Sequence, residues 1–192
     1  SQIALWLSGS IRHDMSREEI LQIYRLPITE LIFLAQALHR QYFRPDEIQL
    51  STLLSIKTGG CKEDCAYCPQ SAHYQTQVQS HGLLPLDDIV TAAREAKENG
   101  STRFCMGAAW RSPPKKGPQF EQVLEAVRSV RALGLEVCTT LGMLDAEQAL
   151  ALREAGVYAY NHNLDTSPEH YPKVITTRTY EDLSLIHISE PT

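Results

Sequence analysis

The sequence predicts an α/β protein built on a parallel sheet, and two features of its 192 residues carry that prediction. From about residue 51, short apolar segments alternate with longer segments whose apolar residues recur at helical spacing. Three of the helical segments end in a glycine, at Gly100, Gly134 and Gly156, and each glycine is followed at once by a strand-like segment. Strands that alternate with helices in this way form a parallel sheet.

The N-terminal part of the chain is predicted to be helical. Ser16 followed by Glu19 forms a capping box, which marks a helix start. Apolar residues then recur at helical spacing as far as Tyr42, and Pro45 ends the segment. We therefore predict helix over residues 16–43.

Four strands and three helices follow. The segment STLLSIK is short and apolar and is interpreted as a buried strand. Asp145, with Gln148 three residues later, caps the third of these helices. Glycine ends each helix because it adopts the left-handed C-cap conformation at little cost. The predicted strands cover residues 51–57, 102–108, 135–140 and 157–161.

The alternation alone leaves the architecture open. Four strand–helix units cannot close an eight-stranded barrel, which takes about 250 residues. An open doubly wound sheet fits the same pattern. The choice between the two depends on the motifs.

Composition excludes several classes of protein. The formal charge is −5, with 43% hydrophobic and 21% charged residues, as in ordinary globular proteins. The negative charge argues against a non-specific nucleic-acid binder, and no apolar run reaches the roughly 18 residues of a membrane span. Residues 1–10 lack the basic start and the cleavage site of a signal peptide. Because Met15 is the first methionine, we interpret residues 1–15 as a non-native or disordered leader.

The cysteines are the strongest chemical signal. Five cysteines without a secretory signal indicate a reducing compartment rather than a disulfide framework. Three of them, Cys61, Cys65 and Cys68, are spaced C-x3-C-x2-C just after the first strand. Such thiolates can converge on one soft-metal centre, one ligand short of a closed zinc site or a fully ligated iron–sulfur cluster. The missing ligand would leave one iron open to a cofactor.

A zinc knuckle or a loop of buried thiols is the alternative for this segment. Zinc ligands normally come as C-x2-4-C with a matching second pair, which this sequence lacks. His73 or His81 could complete a zinc site, but their polar neighbours indicate an exposed loop. The other two cysteines, Cys105 and Cys138, lie in consecutive predicted strands. They could face one interior, or each could be a small buried hydrophobe.

The cysteine loop resembles the signature of radical S-adenosylmethionine (SAM) enzymes, with Tyr67 as the aromatic residue before the third cysteine. The run over residues 51–74, STLLSIKTGGCKEDCAYCPQSAHY, is similar to the biotin synthase family. The resemblance spans residues 16–182 and implies the N-terminal part of a TIM-type (β/α) barrel, about four units of eight, preceded by N-terminal helices. Three further stretches agree in order: GSTRFCMGAAW (100–110), EVCTTLGML (136–144) and YNHNLDTSPEHYPKVITTRTY (160–180).

The resemblance implies an enzyme that inserts sulfur into dethiobiotin, the last step of biotin biosynthesis. In the family the three loop cysteines hold a 4Fe–4S cluster, which here assigns Cys61, Cys65 and Cys68. SAM binds the fourth iron through its amino and carboxylate groups. One electron passed through the cluster cleaves SAM to a 5′-deoxyadenosyl radical, which abstracts hydrogen. The cofactors carry this chemistry, and the protein orients them.

Further roles are implied for residues that match family motifs. Tyr67 would help frame the adenine of SAM, and Gly107 with Ala108 would let backbone groups approach its methionine end. Asn163 would contact both SAM and the ureido group of dethiobiotin, and Asp165 would accept hydrogen bonds from the ribose hydroxyls. Catalytic groups of such barrels lie at the carboxyl ends of strands, although the polar run here also contains turn formers.

A second cluster, a 2Fe–2S centre that supplies the sulfur, is also implied. Its family ligands are three cysteines and an arginine, and Cys105 and Cys138 match the first two. The resemblance further implies a reducing electron-donor protein, a homodimer and a cytoplasmic location. The loop that carries Arg111, Lys115 and Lys116 is interpreted as a solvated connection.

The chain departs from the family after Tyr180. The third cysteine and the arginine ligand would lie beyond residue 182, and Leu183 stands where the family has a helical arginine. Residues 183–192, LSLIHISEPT, match no family segment and are interpreted as a translated sequencing adaptor joined to a truncated gene. We therefore expect an inactive fragment whose sheet edges are unpaired and prone to aggregation.

Two other functions are left open by the residues. Another radical SAM enzyme would share the loop, although Cys105 and Cys138 argue against it because most relatives lack a second cluster. A non-catalytic zinc or electron-carrier module would need only the loop. Metal analysis after anaerobic purification separates these functions, because zinc without sulfide is incompatible with both enzyme interpretations.

Overall fold

The computed structural model describes residues 8–9, 12–115 and 117–183. The chain divides into two units, Ser1–Ile48 and Gln49–Thr192. The leader interpreted over residues 1–15 is described only in part, and residues 184–192 of the interpreted tail lie outside the described residues, so both interpretations stay predictions.

The described residues of the first unit form two helices, α1 (Arg17–Tyr24) and α2 (Ile28–Tyr42). The capping box is confirmed, because the Glu19 amide donates to Ser16 Oγ over 3.2 Å and the Ser16 amide donates to Glu19 Oε2 over 2.8 Å. The predicted helical character of residues 16–43 is confirmed except for a break between the two helices, which the sequence analysis did not place. Pro27 stands at the N-cap of α2, and proline favours extended backbone in the residue before it, so the chain leaves the helix at Arg25 and restarts at Ile28.

The second unit is a four-stranded parallel sheet with strand order β1-β2-β3-β4. Because neighbours in the sequence are neighbours in the sheet, the strand order never reverses, as it would in a doubly wound fold. This order is that of a (β/α) barrel segment with four units. The elements are β1 (Ser51–Lys57), α3 (Leu86–Glu98), β2 (Arg103–Ala108), α4 (Pro118–Ala132), β3 (Glu136–Thr140), α5 (Ala146–Ala155), β4 (Val157–Tyr160) and the short α6 (Tyr171–Val174).

Helices α3, α4 and α5 pack against one face of the sheet and form the main core. Alternate residues of the strands point into this core, which also contains apolar residues from each helix. The completely buried members include Ile56 and Phe104 from the strands and Ile89, Val123 and Val127 from the helices.

The opposite face of the sheet is not covered at β1. Leu53 is 71% exposed, whereas Ile56 on the core face is 0% exposed. The interpretation of residues 51–57 as a buried strand is therefore wrong for one of its two faces. Although only one face of β1 is buried, apolar residues lie on both of its faces. Its sequence pattern is the same as that of a completely buried strand, so the sequence alone does not distinguish the two cases.

The helix ends follow the local sequence signals. Asp145 Oδ1 accepts from the Gln148 amide over 2.9 Å, and the Gln148 side chain accepts from the Asp145 amide, which confirms the capping box of α5. Gly156 then ends α5 with φ 109°, a left-handed conformation that glycine adopts without a Cβ clash. Among the described residues, no helix combines the length and the apolar character that crossing a membrane requires.

Candidate functional site

A cavity of about 310 Å³ lies at the carboxyl-terminal edge of the sheet. Parallel strands bring their carboxyl ends to the same edge, so the segments that follow β1, β2 and β4 meet there. Eight of the ten predicted site residues line this cavity: Cys61, Cys65, Cys68, Tyr67, Gly107, Ala108, Asn163 and Asp165.

The cysteine loop, residues 58–72, folds back on itself beside the cavity. The Cys61 amide donates to the Gln70 carbonyl over 3.0 Å, and the Ala72 amide donates to the Cys61 carbonyl over 2.7 Å. The Cys68 amide donates to the Cys65 carbonyl over 3.0 Å and closes a tight turn between those two cysteines. These backbone bonds bring three thiols to one wall of the cavity.

Burial affects two thiols of this loop. It raises the pKa of Cys65 to about 11 and also raises the pKa of Cys61. Without a metal these two thiols are therefore largely protonated at neutral pH, and a bound metal would displace their protons. In the described part of the chain, no group of three histidine, cysteine or acidic side chains is arranged to hold a single metal ion. An iron–sulfur cluster differs from such a site, because it offers a separate iron to each thiolate.

A segment far along the chain holds the loop in place. We name residues 174–178 the clamp segment. The carboxylate of Asp64 accepts hydrogen bonds from the backbone amides of Thr176 and Thr177, over 2.9 and 3.2 Å, and from the Thr176 hydroxyl. The Ala66 amide donates to the Val174 carbonyl over 3.0 Å. Burial alone would raise the pKa of Asp64, but the bonds from the two threonines lower it well below its usual value.

Arg178 forms the centre of a buried ionic network. Its Nη2 donates to Asp165 Oδ2 over 2.7 Å, its Nε donates to the Tyr171 hydroxyl over 2.8 Å, and its Nη1 lies 3.4 Å from Glu63 Oε1. Burial alone would lower the pKa of Arg178, but the bond with Tyr171 and the nearby acidic groups raise it above its usual value. The guanidinium is therefore charged at every working pH.

Asp165 connects this network to the cavity. The Tyr67 hydroxyl donates to Asp165 Oδ1, and burial together with this bond raises the pKa of Tyr67. Asp165 has φ 67°, the only positive φ among the described residues other than glycine. The two predicted SAM-contacting residues, Tyr67 and Asp165, are thus brought into direct contact.

Gly107 leaves free space in the cavity wall. A Cβ added there would meet only ordinary contacts, 3.8 Å from Leu53 Cδ1 and 4.0 Å from the Leu54 carbonyl. The protein's own packing therefore does not require glycine at this position. The free space suits the close approach of a ligand to the backbone, as the sequence predicts.

Cys105 and Cys138 lie apart from the cavity but next to each other. They are register partners on the adjacent strands β2 and β3, and their side chains point to the face of the sheet opposite the main core. Burial, assisted by a hydrogen bond with Cys105, raises the pKa of Cys138 to about 11. The prediction that both cysteines face the same side is confirmed, while their role as cluster ligands stays a prediction.

The basic loop is only partly solvated. Arg111 is half-exposed, but its Nε lies 3.4 Å from the buried Glu63 Oε1. Lys115 Nζ lies 3.1 Å from Asp145 Oδ2, and Lys116 is outside the described residues. The interpretation of this loop as a solvated connection therefore holds for Lys115 and is incomplete for Arg111.

Sequence reasoning missed the residues that organise the loop. Glu63, Asp64 and Arg178 were assigned no role, and neither was the threonine pair before Arg178. A usable signal was present, because two consecutive acids between closely spaced cysteines need partners if they are buried. Leu183, read as part of a foreign tail, is completely buried in the cluster that includes Cys65 and Tyr171.

The sequence of this chain is similar to those of known proteins. The family model for the radical SAM superfamily matches residues 55–184. Biotin synthase of Myxococcus xanthus (strain DK1622) is 59% identical over 172 residues, which are 90% of this chain and 49% of that protein. Biotin synthase of Nitrosococcus oceani is 58% identical over 176 residues, which are 92% of this chain and 50% of that protein. The chain thus spans about half the length of these curated relatives.

The solved structures support the fold. The crystal structure of methylornithine synthase superposes with a TM-score of 0.78, covering 98% of this chain and 55% of that one, at 18% sequence identity. This likeness confirms the predicted partial TIM-type barrel. The family model covers most of the second unit, including the cysteine loop, the cavity and the clamp segment. The chain therefore belongs to the radical SAM superfamily.

Proposed function

We propose that the protein to which this chain belongs is a biotin synthase, which inserts sulfur into dethiobiotin to form biotin. The observation that carries the proposal is the 55–59% identity to several curated biotin synthases over most of this chain. That similarity extends beyond the cysteine loop, which alone specifies only the superfamily. The common cavity of the loop cysteines and the register pairing of Cys105 with Cys138 support the two proposed cofactor sites.

The first cofactor site is formed by Cys61, Cys65 and Cys68. Their thiols lie on one cavity wall, and three soft ligands suit a 4Fe–4S cluster with one iron left for SAM. When bound, the cluster and SAM supply one-electron and hydrogen-abstraction chemistry. The protein's own contribution is to hold the loop through the clamp segment and to keep the thiols partly shielded from water.

The other cavity residues form the proposed SAM and substrate site. Tyr67 would frame the adenine, and Gly107 with Ala108 leaves backbone groups accessible to the methionine end. Asn163 would contact SAM and the ureido group of dethiobiotin. Asp165 would accept hydrogen bonds from the ribose hydroxyls with the lone pairs not used by Tyr67 and Arg178. The common cavity of these residues supports the assignment.

The second cofactor site would be a 2Fe–2S cluster with Cys105 and Cys138 as two of its ligands. Register pairing on adjacent parallel strands gives the two thiols a common direction, which supports joint ligation. The proposal also includes a reducing electron-donor protein, a homodimer and a cytoplasmic location. Five free cysteines fit a reducing compartment.

Metal analysis and SAM cleavage test the first cluster. We expect iron and acid-labile sulfide in the anaerobically purified intact protein to which this chain belongs, and loss of reductive SAM cleavage in its Cys61→Ala variant. Cys105→Ala in the same intact protein is the matched control, since it should retain SAM cleavage and lose only sulfur insertion. Zinc without sulfide, or SAM cleavage that persists in Cys61→Ala, would overturn the proposal.

A further inference from the structure

We propose that Arg178 is a positioning residue that fixes the cysteine loop and Asp165 relative to each other. The inference rests on the proposed function only for the identity of the ligand that Asp165 receives. Its basis is the geometry of one guanidinium that contacts two carboxylates and a phenol from three separate segments: the cysteine loop, the residues after β4, and α6.

Arg178 is the described cation of Asp165 and one of two described cations beside Glu63, the other being Arg111. The side chains of Arg178, Glu63 and Asp165 are 4%, 3% and 4% exposed. Removing Arg178 would leave the buried carboxylate of Asp165 without a cation. This should be strongly destabilising, because a buried charge without a partner is costly. Arg111 cannot replace it there, because Arg111 is 46% exposed and its described ion pair is with Glu63 alone.

The geometry points to positioning rather than to charge neutralisation alone. Each nitrogen of the planar guanidinium has a partner in a different segment: Nη2 donates to Asp165, Nε donates to Tyr171, and Nη1 lies within ion-pair distance of Glu63. A lysine ammonium would keep the charge but could not maintain all three contacts in this fixed fork. The left-handed φ of Asp165 is a conformation that costs energy outside glycine, and the contacts with Arg178 and Tyr67 hold it.

The effect of losing Arg178 should therefore appear in two places. The cysteine loop loses the ion pair between its Glu63 and Arg178, and the carboxylate of Asp165 loses its fixed direction into the cavity. Ligand affinity should then fall beyond what reduced cluster content explains. A residue that served only packing would lower stability and leave the affinity of correctly loaded protein unchanged.

The test compares Arg178→Lys and Arg178→Gln in the full chain with the control Arg128→Gln. Arg128 is 52% exposed, and its described ion pair is with Glu125, on the same helix. Binding of S-adenosylhomocysteine, a non-cleavable probe, is measured by calorimetry at matched iron content. We expect both Arg178 variants to bind about tenfold more weakly or worse, a loss of about 1.4 kcal/mol, and the control to be unchanged.

A double variant tests whether Arg178 acts through Asp165. Losses in Asp165→Asn and Arg178→Gln should be strongly non-additive when combined, since the two side chains share one contact. Full additivity, or wild-type affinity in either Arg178 variant, would overturn the inference.

Proteolysis of the metal-free chain makes the test independent of cofactor binding. Lys62 lies exposed in the cysteine loop, so trypsin cleavage after it reports how firmly the loop is held. Faster cleavage in both Arg178 variants than in Arg128→Gln supports the inference, and equal rates contradict it. If the wild-type chain bound neither iron nor the probe, the proposed function would fail, while proteolysis would still decide the role of Arg178.

Discussion

Glu63 and Asp64, neighbours between Cys61 and Cys65, fix the loop through different bonds. Glu63 is buried and lies beside two arginines, with its Oε2 receiving the Thr177 hydroxyl. Asp64 is partly accessible and accepts hydrogen bonds from the backbone and side chains of the clamp segment. The loop is therefore held by contacts that lie beside the cysteines, which leaves the thiols available for ligands.

Substitution of Asp64 should destabilise the chain in a pH-dependent way. Because hydrogen bonds lower its pKa in the folded state, its contribution is present above the unfolded pKa and is lost as the pH falls through the folded value. We expect Asp64→Ala to lower the unfolding free energy by about 1–3 kcal/mol at pH 7. Urea unfolding should show the difference shrinking below about pH 4. A difference that is constant down to pH 3 would contradict this.

At the scale of elements, the two faces of strand β1 lie in different environments. Ile56 faces the helices and is completely buried, while Leu53 faces the uncovered side beside Cys105. The two residues are similar in size and close in sequence. Their contributions to stability should nevertheless differ, because the transfer of a side chain from water contributes only when the fold buries it.

Alanine substitutions in β1 test this difference. Ile56→Ala should cost about 2–5 kcal/mol, since it leaves a cavity in the main core. Leu53→Ala should change the unfolding free energy by about 0.5 kcal/mol or less. Urea titration of both variants against the unsubstituted chain gives the comparison, and equal losses would mean that Leu53 is covered in solution.

Substitutions of Asp145, the N-cap residue of α5, distinguish the contribution of the capping hydrogen bond to stability from that of the carboxylate charge. Asp145→Ala removes the cap and should cost about 1 kcal/mol, while Asp145→Asn keeps a capping oxygen and should cost much less. The hydrogen bond with the Gln148 amide, and secondly the contact with Lys115, lower the pKa of Asp145. The advantage of the wild type over the asparagine variant should therefore begin to shrink below about pH 4 and be lost as the pH falls through the lower folded-state pKa. Urea unfolding at pH 3 and pH 7 measures both effects.

The helix starts and ends that were predicted correctly depend on local sequence signals. Capping boxes at Ser16 and Asp145 and the glycine after α5 act within a few residues, so they are visible in the sequence and are confirmed. Pro27 was a visible break that the helical spacing around it concealed. The pairing of Glu63 with Arg178 depends on chain segments more than 100 residues apart, and no local pattern encodes such a contact.

At the scale of the whole molecule, the sheet of the second unit has two edges in the described residues, β1 and β4. Both carry large exposed side chains, Leu53 at 71% and Tyr158 at 64%. Unpaired edges with exposed apolar groups are templates for association with other chains. The prediction of aggregation-prone edges follows from this geometry.

A charged side chain on the edge strand β1 should reduce association between copies of the chain. Leu53→Lys should lower the light scattering of concentrated chain, because lysine on an edge strand opposes pairing with another strand. Leu150→Lys is the control, since Leu150 is also exposed, at 54%, but lies on helix α5. Equal reductions in the two variants would assign the association to general apolar exposure rather than to the edge.

The separation between the cysteine loop and its clamp segment has a consequence for synthesis on the ribosome. Asp64 and Thr177 are 113 positions apart, so at about 5–20 residues per second the loop waits roughly 6–23 seconds for its clamp. During that interval three thiols are attached to a nascent chain that cannot yet hold them in place. Metal loading of the organised loop is therefore expected after translation has passed the clamp segment, and oxidants have their best access to these thiols before it.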